Sequence, residues 1–420
     1  MAHGSPDSAM ETAEDQTDRL SELPEHVLLH MLSFLPTLVA ASTSFLSRRF
    51  RHLWETTTTL DLDLSAFRHS TCSAFVDMVD RCLLDRDSLY NLLSLRIDLC
   101  DRNLFEGGIL TFGYVNILLV RAAELGVRHL SFSHLTHQLD EFLPTILSIA
   151  SLESLSLCHL SRRAVFPPSF AATGLKSLSL AFDFASFEPT GLNTLLSKLH
   201  ALENLELQVP TSIDLRSETV KRLKLAIFAS CREVGICMPK LEVLDFYEWR
   251  CRRTRFRGEI PFLKKADIYF MYPAEESAPA IWQMLKAVGN VEKLYIKIDE
   301  NHLFNPFHTM VEPGVDPPEF PNLKHLDLEM CFHQSNTEDL TILLRNSPAL
   351  ESLNLVDKTE KERWESDWWC TLPPNAEGFH VGEAKTKLVK RLLREKPTRK
   401  RKLMNHFLGA VDSGSVKTRI

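Results

Sequence analysis

A six-residue pattern recurs eleven times between residues 92 and 355 of this chain. It reads apolar, two variable, apolar, one variable, apolar. Copies begin at Leu92 (LLSLRI), Val127 (VRHLSF), Leu152 (LESLSL), Leu175 (LKSLSL), Leu202 (LENLEL) and Val220 (VKRLKL). Others begin at Leu241 (LEVLDF), Leu263 (LKKADI), Val291 (VEKLYI), Leu323 (LKHLDL) and Leu350 (LESLNL), and residues 57–62 (TTTLDL) form a degenerate earlier copy. The intervals are 35, 25, 23, 27, 18, 21, 22, 28, 32 and 27 residues, averaging near 26. Self-similarity at that period is the mark of a chain built from stacked supersecondary units, each unable to bury its apolar face alone.

Side chains alternate across a strand. The fourth and sixth positions of each hexad therefore point into a shared core, and the third and fifth positions and the next alternate residue point out of it. In a horseshoe-shaped solenoid those outward residues line the concave side. The selection yields Glu206, Lys224, Asp245, Tyr247, Tyr295, Lys297, Asp327 and Glu329 as candidate partner-binding residues. Both charges mixed with two tyrosines fit a protein surface better than a nucleic acid, which calls for one positive stripe. Between strands, stretches such as EFLPTILSIA, GLNTLLSKLHA and TEDLTILLRNSPA are expected to be helical or irregular returns. Composition agrees: leucine supplies 67 of 420 residues and glycine only 15, which disfavours a Gly-rich nucleotide-binding fold. The formal net charge of −7 disfavours a nucleic-acid-coating protein.

No chemistry-bearing motif emerges. There is no phosphate-binding Gly-rich loop, HExxH, GxSxG or calcium-loop pattern, and no cofactor motif. The nine cysteines are scattered without metal or redox spacing, as expected of reduced thiols in the nucleus or cytoplasm. The acidic leader, residues 1–17, is not a secretory signal, and the uncharged stretch 109–120 is too short to span a bilayer. Catalytic and metal-ligating residues are thus expected to be absent. Two basic stretches stand out. Arg250, Arg252, Arg253, Arg255 and Arg257 crowd one segment after the hexad at Leu241, expected to be a loop, and are candidates for an acidic or phosphorylated partner or for a solvated face. Residues 385–402 hold ten Lys/Arg against one acid, in the manner of a nuclear-import address or a solvated tail.

The segment 18–54 reads as three short helices. Pro24 and Glu25 suit a first turn, Val27, Leu28, Met31, Leu32 and Leu35 recur at helical spacing, Pro36 stops that helix, and Thr37 and Ser47 are candidate N-caps of the next two. Three short helices cannot bury that much apolar surface alone, so it meets either a partner or the rest of the chain.

Asp18-Arg19-Leu20-Ser21, Leu23-Pro24, Leu32-Ser33-Phe34-Leu35-Pro36-Thr37, Thr43-Ser44, Leu46-Ser47-Arg48-Arg49 and Leu53-Trp54 resemble the F-box of plant F-box/leucine-rich-repeat proteins. Leu38, Val39 and Ser42 stand where that family carries charges, and Phe50 where it carries a Trp. The resemblance implies a module docking on the adaptor subunit of a cullin–RING ubiquitin ligase through Leu23, Pro24, Leu28, Met31, Leu32 and Leu35, with an unknown protein substrate held by the repeats. It implies an α/β fold: a three-helix F-box (18–64), leucine-rich repeats (65–360), a helical C-terminal cap faintly similar to the FBD segment (361–396) and a basic tail (397–420).

Overall fold

The computed structural model describes residues 20, 22–67, 72–87, 89–99, 112–134, 139–161, 164–183, 191–228, 231–249, 254–271, 273, 277–299, 317–330 and 343–357. The expected leader, C-terminal cap and basic tail, together with Arg250, Arg252 and Arg253, lie outside them. The chain divides into two compact units after Val127.

The first unit begins with helices α1 (Glu25–Leu32) and α2 (Thr37–Ser42), each preceded by a proline, Pro24 and Pro36, that sets the entry angle and donates no hydrogen bond. The expected third helix is not continuous. Its place is taken by 3-10 turns at Thr43–Phe45 and Leu53–Thr56 with irregular chain between them. Ser47 caps nothing, its hydroxyl lacking a partner among the described residues. Thr37 does not cap its own helix either. Its hydroxyl accepts the backbone N–H of Asp61 (2.7 Å), tying α2 to strand β1 (Thr59–Asp63). β1 pairs in parallel with β2 (Ser94–Leu99), Leu60 opposite Leu95, so the repeat strands begin inside the segment ascribed to the helical module.

Between β1 and β2 the chain forms α3 (Cys72–Val79), which passes into a wider turn over Asp80–Leu84. α4 (Phe112–Glu124) follows β2. The join is held by Arg86, a buried guanidinium bonded only to main-chain oxygens among the described residues. Nε donates to Tyr90 (2.9 Å), Nη1 to Glu55 (3.0 Å), and Nη2 to Thr57 (2.8 Å), Thr56 (3.2 Å) and Asn91 (3.3 Å). A guanidinium has five N–H groups in a rigid fork, and no other side chain satisfies so many orphan carbonyls at once. Arg86→Met should therefore strand buried carbonyls and lower stability by about 3 kcal/mol or more, read as a fall in the urea midpoint of the full chain. Arg86→Lys, with a charge but no fork, should recover only part of it.

In the second unit, strands β3 (His129–His134), β4 (Ser154–Leu160), β5 (Ser177–Phe182), β6 (Asn204–Val209), β8 (Arg222–Ile227), β10 (Val243–Glu248), β12 (Lys265–Met271), β13 (Lys293–Asp299), β14 (His325–Met330) and β15 (Ser352–Asp357) form one parallel sheet, adjacent in that order. Every hexad became a strand that starts two residues after its first position. The first, fourth and sixth positions are interior: at β6 these are Leu202, Leu205 and Leu207, at β8 Val220, Leu223 and Leu225. Each such side chain contributes about 1.5–3 kcal/mol of burial. From β6 to β14 the next inward residue is also apolar (Val209, Ile227, Phe270, Ile298, Met330), except at β10, where Glu248 stands between Ile227 and Phe270. The Thr254 hydroxyl donates to its carboxylate, which meets the requirement that a buried carboxylate be hydrogen-bonded.

Two features lock repeat to repeat. The carbonyl of each second hexad residue accepts two N–H groups from the next repeat: Lys176 O takes Glu203 N (2.9 Å) and Asn204 N (3.0 Å), Glu203 O takes Lys221 N (2.9 Å) and Arg222 N (3.0 Å), and so on to Lys324. The side chains at that position alternate in sign without a break: Arg128, Glu153, Lys176, Glu203, Lys221, Glu242, Lys264, Glu292, Lys324, Glu351. Ion pairs join Lys176 to Glu153 (2.7 Å), Lys221 to Glu203 (2.7 Å), Lys264 to Glu242 (3.0 Å) and Lys324 to Glu292 (2.9 Å). The ladder was readable in the hexads and escaped attention because the second position was treated as variable.

The returns differ with repeat length. Longer repeats close through α5 (Leu139–Leu147), α6 (Leu192–Lys198) and α7 (Ala278–Ala287). The three shortest, with intervals of 18, 21 and 22 residues, have no room for a helix. They close through short strands β7 (Ile213–Arg216), β9 (Glu233–Cys237) and β11 (Arg255–Glu259), which make a second parallel sheet in the order β11-β9-β7. Asn193 at the start of α6 covers the β7 edge, donating to Asp214 O (2.9 Å) and accepting from Arg216 N (3.1 Å).

Hydrogen bonds from Lys176, Lys221 and Lys324 hold the carboxyls of Glu153, Glu203 and Glu292 below the usual carboxylate range. Depressed carboxylates stabilise above their unfolded value and lose that contribution as pH falls through the folded one. Lys221→Glu should lower the denaturation midpoint more than Lys221→Gln, because it sets three acids in a row. The difference should close in about 1 M salt, where screening reaches roughly 3 Å.

Candidate functional site

Two surfaces, one in each unit, carry exposed groups that core packing does not explain. On the first, Leu28 and Leu32 are the inward stripe of α1, 1% and 3% exposed, and lie in the same core as Phe50, Leu53 and Trp54. They were expected to meet a partner and instead hold the module together. Leu23 is half-buried and Pro24 exposed, while Met31 and Leu35 are exposed as expected. The spacing misled because Leu28, Met31, Leu32 and Leu35 straddle two faces of a short helix. The exposed set also includes Phe34 (74% exposed), which the sequence places off the main helical stripe, and Leu38, Val39, Phe45 (91% exposed) and Leu46, which sequence reasoning did not include. Their signal was the excess of apolar residues beyond one helical stripe. Phe34 packs edge-to-face on His30 (4.8 Å) and otherwise faces outward.

The second surface is the outward face of the parallel sheet. Glu206, Lys224, Asp245, Tyr247, Tyr295, Lys297, Asp327 and Glu329 all stand on it, half-buried by their neighbours along the ladder. Register brings Glu206, Lys224, Asp245, Asp267, Tyr295 and Asp327 into one row, and Gln208, Ala226, Tyr247, Tyr269, Lys297 and Glu329 into the next. Tyr247 stacks on Tyr269 (centroids 4.1 Å, planes 6° apart), and Tyr269 meets Tyr295 at 5.3 Å. Tyr269, the centre of this aromatic ladder, was not singled out in the sequence, because its hexad LKKADI was passed over when outward positions were chosen.

Ion pairs run along the rows, Lys224 with Glu206 (3.0 Å) and Lys297 with Glu329 (3.1 Å), and along β12, Lys265 with Asp267 (2.5 Å). The Tyr295 hydroxyl also donates to Glu329. A depression of about 250 Å³ opens beside Tyr295, lined by Lys265, Asp267, Lys293, His325 and Asp327. Burial, and then the neighbouring Asp267, raise the carboxyl of Asp245 above the usual aspartate value.

A family model described as At1g61320/AtMIF1, LRR domain, matches residues 85–371. The chain belongs to this leucine-rich-repeat family. Its relatives include the FBD-associated F-box protein At5g60610 of Arabidopsis thaliana, 28% identical over 83% of this chain and 85% of the relative. F-box/LRR-repeat protein 13 of the same plant is 29% identical over 84% and 79% of the two chains. F-box/FBD/LRR-repeat protein At5g56420 is 26% identical over 81% and 77%. The resemblance to plant F-box/leucine-rich-repeat proteins read from the residues is thereby confirmed. No solved structure matches the chain.

Among the described residues no group of His, Cys, Asp and Glu could hold a metal ion, and no helix is long and apolar enough to cross a membrane. Burial pushes the Cys82 thiol up to about 12 and the Cys231 thiol up to about 11, which makes both poor nucleophiles. Of the basic segment, Arg255 and Arg257 are described. They lie exposed on β11 rather than in a loop, and Arg257 pairs with Glu233 (2.7 Å).

Burial raises the phenols of Tyr247, Tyr269 and Tyr295 above 10, and Glu329, accepting from Tyr295, raises that one further. Tyr114, half-buried and bonded to Asp80, behaves likewise. Their contribution to stability is full below the unfolded phenol value and is lost as pH rises beyond it. An ultraviolet titration should therefore show these four of the six tyrosines lagging behind those of the urea-unfolded chain. Glu329→Gln should bring Tyr295 down.

Proposed function

We propose that this chain is the non-catalytic substrate-recognition subunit of a cullin–RING, SCF-type ubiquitin ligase. The N-terminal module is an F-box that docks on the adaptor, and the repeats hold a protein substrate. The observation that carries the reading is the exposed apolar set on a folded helical module of F-box-like sequence. Hydrophobic side chains as large as Phe34 and Phe45 remain outside while Leu28, Leu32 and Trp54 complete the core. Surfaces of that kind mark protein interfaces. The names of the relatives, F-box proteins with leucine-rich repeats, support the same reading.

Catalysis in this reading is proximity. The receptor brings a bound substrate to ubiquitin-transfer machinery on other subunits and raises its effective concentration there. The outward residues Glu206, Lys224, Asp245, Tyr247, Tyr295, Lys297, Asp327 and Glu329 are the proposed substrate face. The exposed arginines of β11 are a second, anion-reading element. The proposed locations are nucleus and cytoplasm, with residues 385–402 as the import address.

The test uses the exposed residues and spares the buried ones. Met31→Glu, Phe34→Glu and Leu35→Glu together should abolish co-purification of the adaptor, at about tenfold or more per position as expected of apolar hot spots, and leave the melting temperature unchanged. Leu28→Glu, by contrast, should unfold the module. Undiminished adaptor binding by the triple variant would sink the reading and leave a leucine-rich-repeat interaction scaffold with a vestigial F-box.

A further inference from the structure

The aromatic ladder on the outward face ends abruptly. Tyr269 covers one face of the Tyr247 ring, but the register partner of Tyr247 on the other side is Ala226 of β8, whose methyl group cannot cover the second face. Beyond Ala226, in the same row, stands Gln208 of β6. Two residues further along the chain, just past the ends of β8 and β10, come Phe228 and Trp249, half-buried, whose rings lie 6.5 Å apart. Ala226 is thus the floor of a slot with an aromatic face on one side, an amide on the other and an aromatic pair at one end.

The opposite end is the row of Glu206, Lys224, Asp245 and Asp267, and its charges are unevenly spent. Lys224 is held by Glu206 (3.0 Å), and Asp267 is held by Lys265 (2.5 Å). Asp245, between them, forms no ion pair within 4.0 Å among the described residues and has the like-charged Asp267 as its register partner on β12. The slot therefore presents an open tyrosine face, neighbouring indole and phenyl rings, and a carboxylate with no ion pair of its own among the described residues. A planar cation satisfies all of these together. It stacks on the ring by cation–π attraction and donates N–H groups to the carboxylate, and guanidinium does both better than ammonium.

We propose that the slot over Ala226 takes the guanidinium of an arginine presented by an extended, basic segment of a partner protein. The inference deepens the reading of the repeats as the partner-binding part of the chain and rests on it. An acidic segment meets Asp245 as a like charge. A nucleic acid meets the same carboxylate and lacks the cation.

The experiment uses the full chain and a fluorescent twelve-residue peptide with arginine at every fourth position. Two counterparts carry citrulline or glutamate in place of arginine. Binding is read by anisotropy at low and moderate salt. The arginine peptide should bind about tenfold or more tighter than the citrulline peptide, as a charge-assisted hydrogen bond and a cation–π contact together predict. The glutamate peptide should not bind. Ala226→Leu, which fills the slot without changing charge, and Asp245→Asn should each weaken the arginine peptide by about fivefold or more. Asp214→Asn, an exposed acid on β7 away from this face, should leave it unchanged. Asp245→Asn should keep or raise the melting temperature, because it removes a like-charge contact, so its loss of binding cannot be ascribed to unfolding.

Equal binding of the arginine and citrulline peptides, binding indifferent to Ala226→Leu and Asp245→Asn, or no binding of the arginine peptide would each overturn the proposal. The outcome does not depend on the adaptor. A chain that binds the peptide but no adaptor loses the ligase reading and keeps the slot. A chain that captures a protein through Tyr295 or Glu329 and ignores arginine keeps its recognition face and loses the slot.

Discussion

A parallel strand cannot satisfy its hydrogen bonds within its own repeat, and everything in the second unit follows from where those bonds go. Each second hexad residue offers one carbonyl to two N–H groups of the next repeat, from Arg128 through Lys324. That bond pattern sets the register, and the register decides which side chains become neighbours. The leucines at the first, fourth and sixth positions meet their counterparts and form one continuous core. The outward residues are brought into rows, so groups far apart in sequence, such as Gln208, Ala226, Tyr247 and Tyr269, become a surface with defined spacing. Repeat proteins are stabilised by such nearest-neighbour terms, and they display function on the same lattice.

Much of this was legible in the residues, and the reason is the period. A hexad repeated eleven times predicts strand positions without reference to any partner, because each copy supports the reading of the others; every one of them is a strand, down to the degenerate copy at β1. What escaped depends on contacts between repeats or on chain length. The second sheet, β11-β9-β7, arises because the three shortest intervals leave no room for a helix, a point visible only once the strands are placed. Tyr269 gains its role from Tyr247 on the neighbouring strand, not from its own hexad. In the N-terminal module periodicity identified the apolar residues of α1 but not their sides. Eight helical residues make little more than two turns, and Leu28, Met31, Leu32 and Leu35 fit one stripe or two equally well.

Arg86 shows how a single residue can serve where repetition fails. Among its described residues the first unit has two repeat strands, β1 and β2, and an irregular entry from the helical module. Its backbone therefore carries oxygens that no neighbouring repeat can satisfy. The guanidinium gathers five of them from Glu55, Thr56, Thr57, Tyr90 and Asn91. The charge is buried without a carboxylate among the described residues, which is tolerable because its hydrogen bonds are made.

The alternating side chains at the second hexad position carry a consequence for how such a chain can change length. Charge at this position has a period of two repeats, not one: Arg128 and Lys176 share a sign, as do Glu153 and Glu203. Removing one repeat, or duplicating one, leaves two like charges facing each other at the junction, whereas removing or duplicating a pair leaves the sequence of signs intact. The stack has a parity. Its unit of inheritance, for this property, is a double repeat of about fifty residues, although its unit of folding is the single strand and its return.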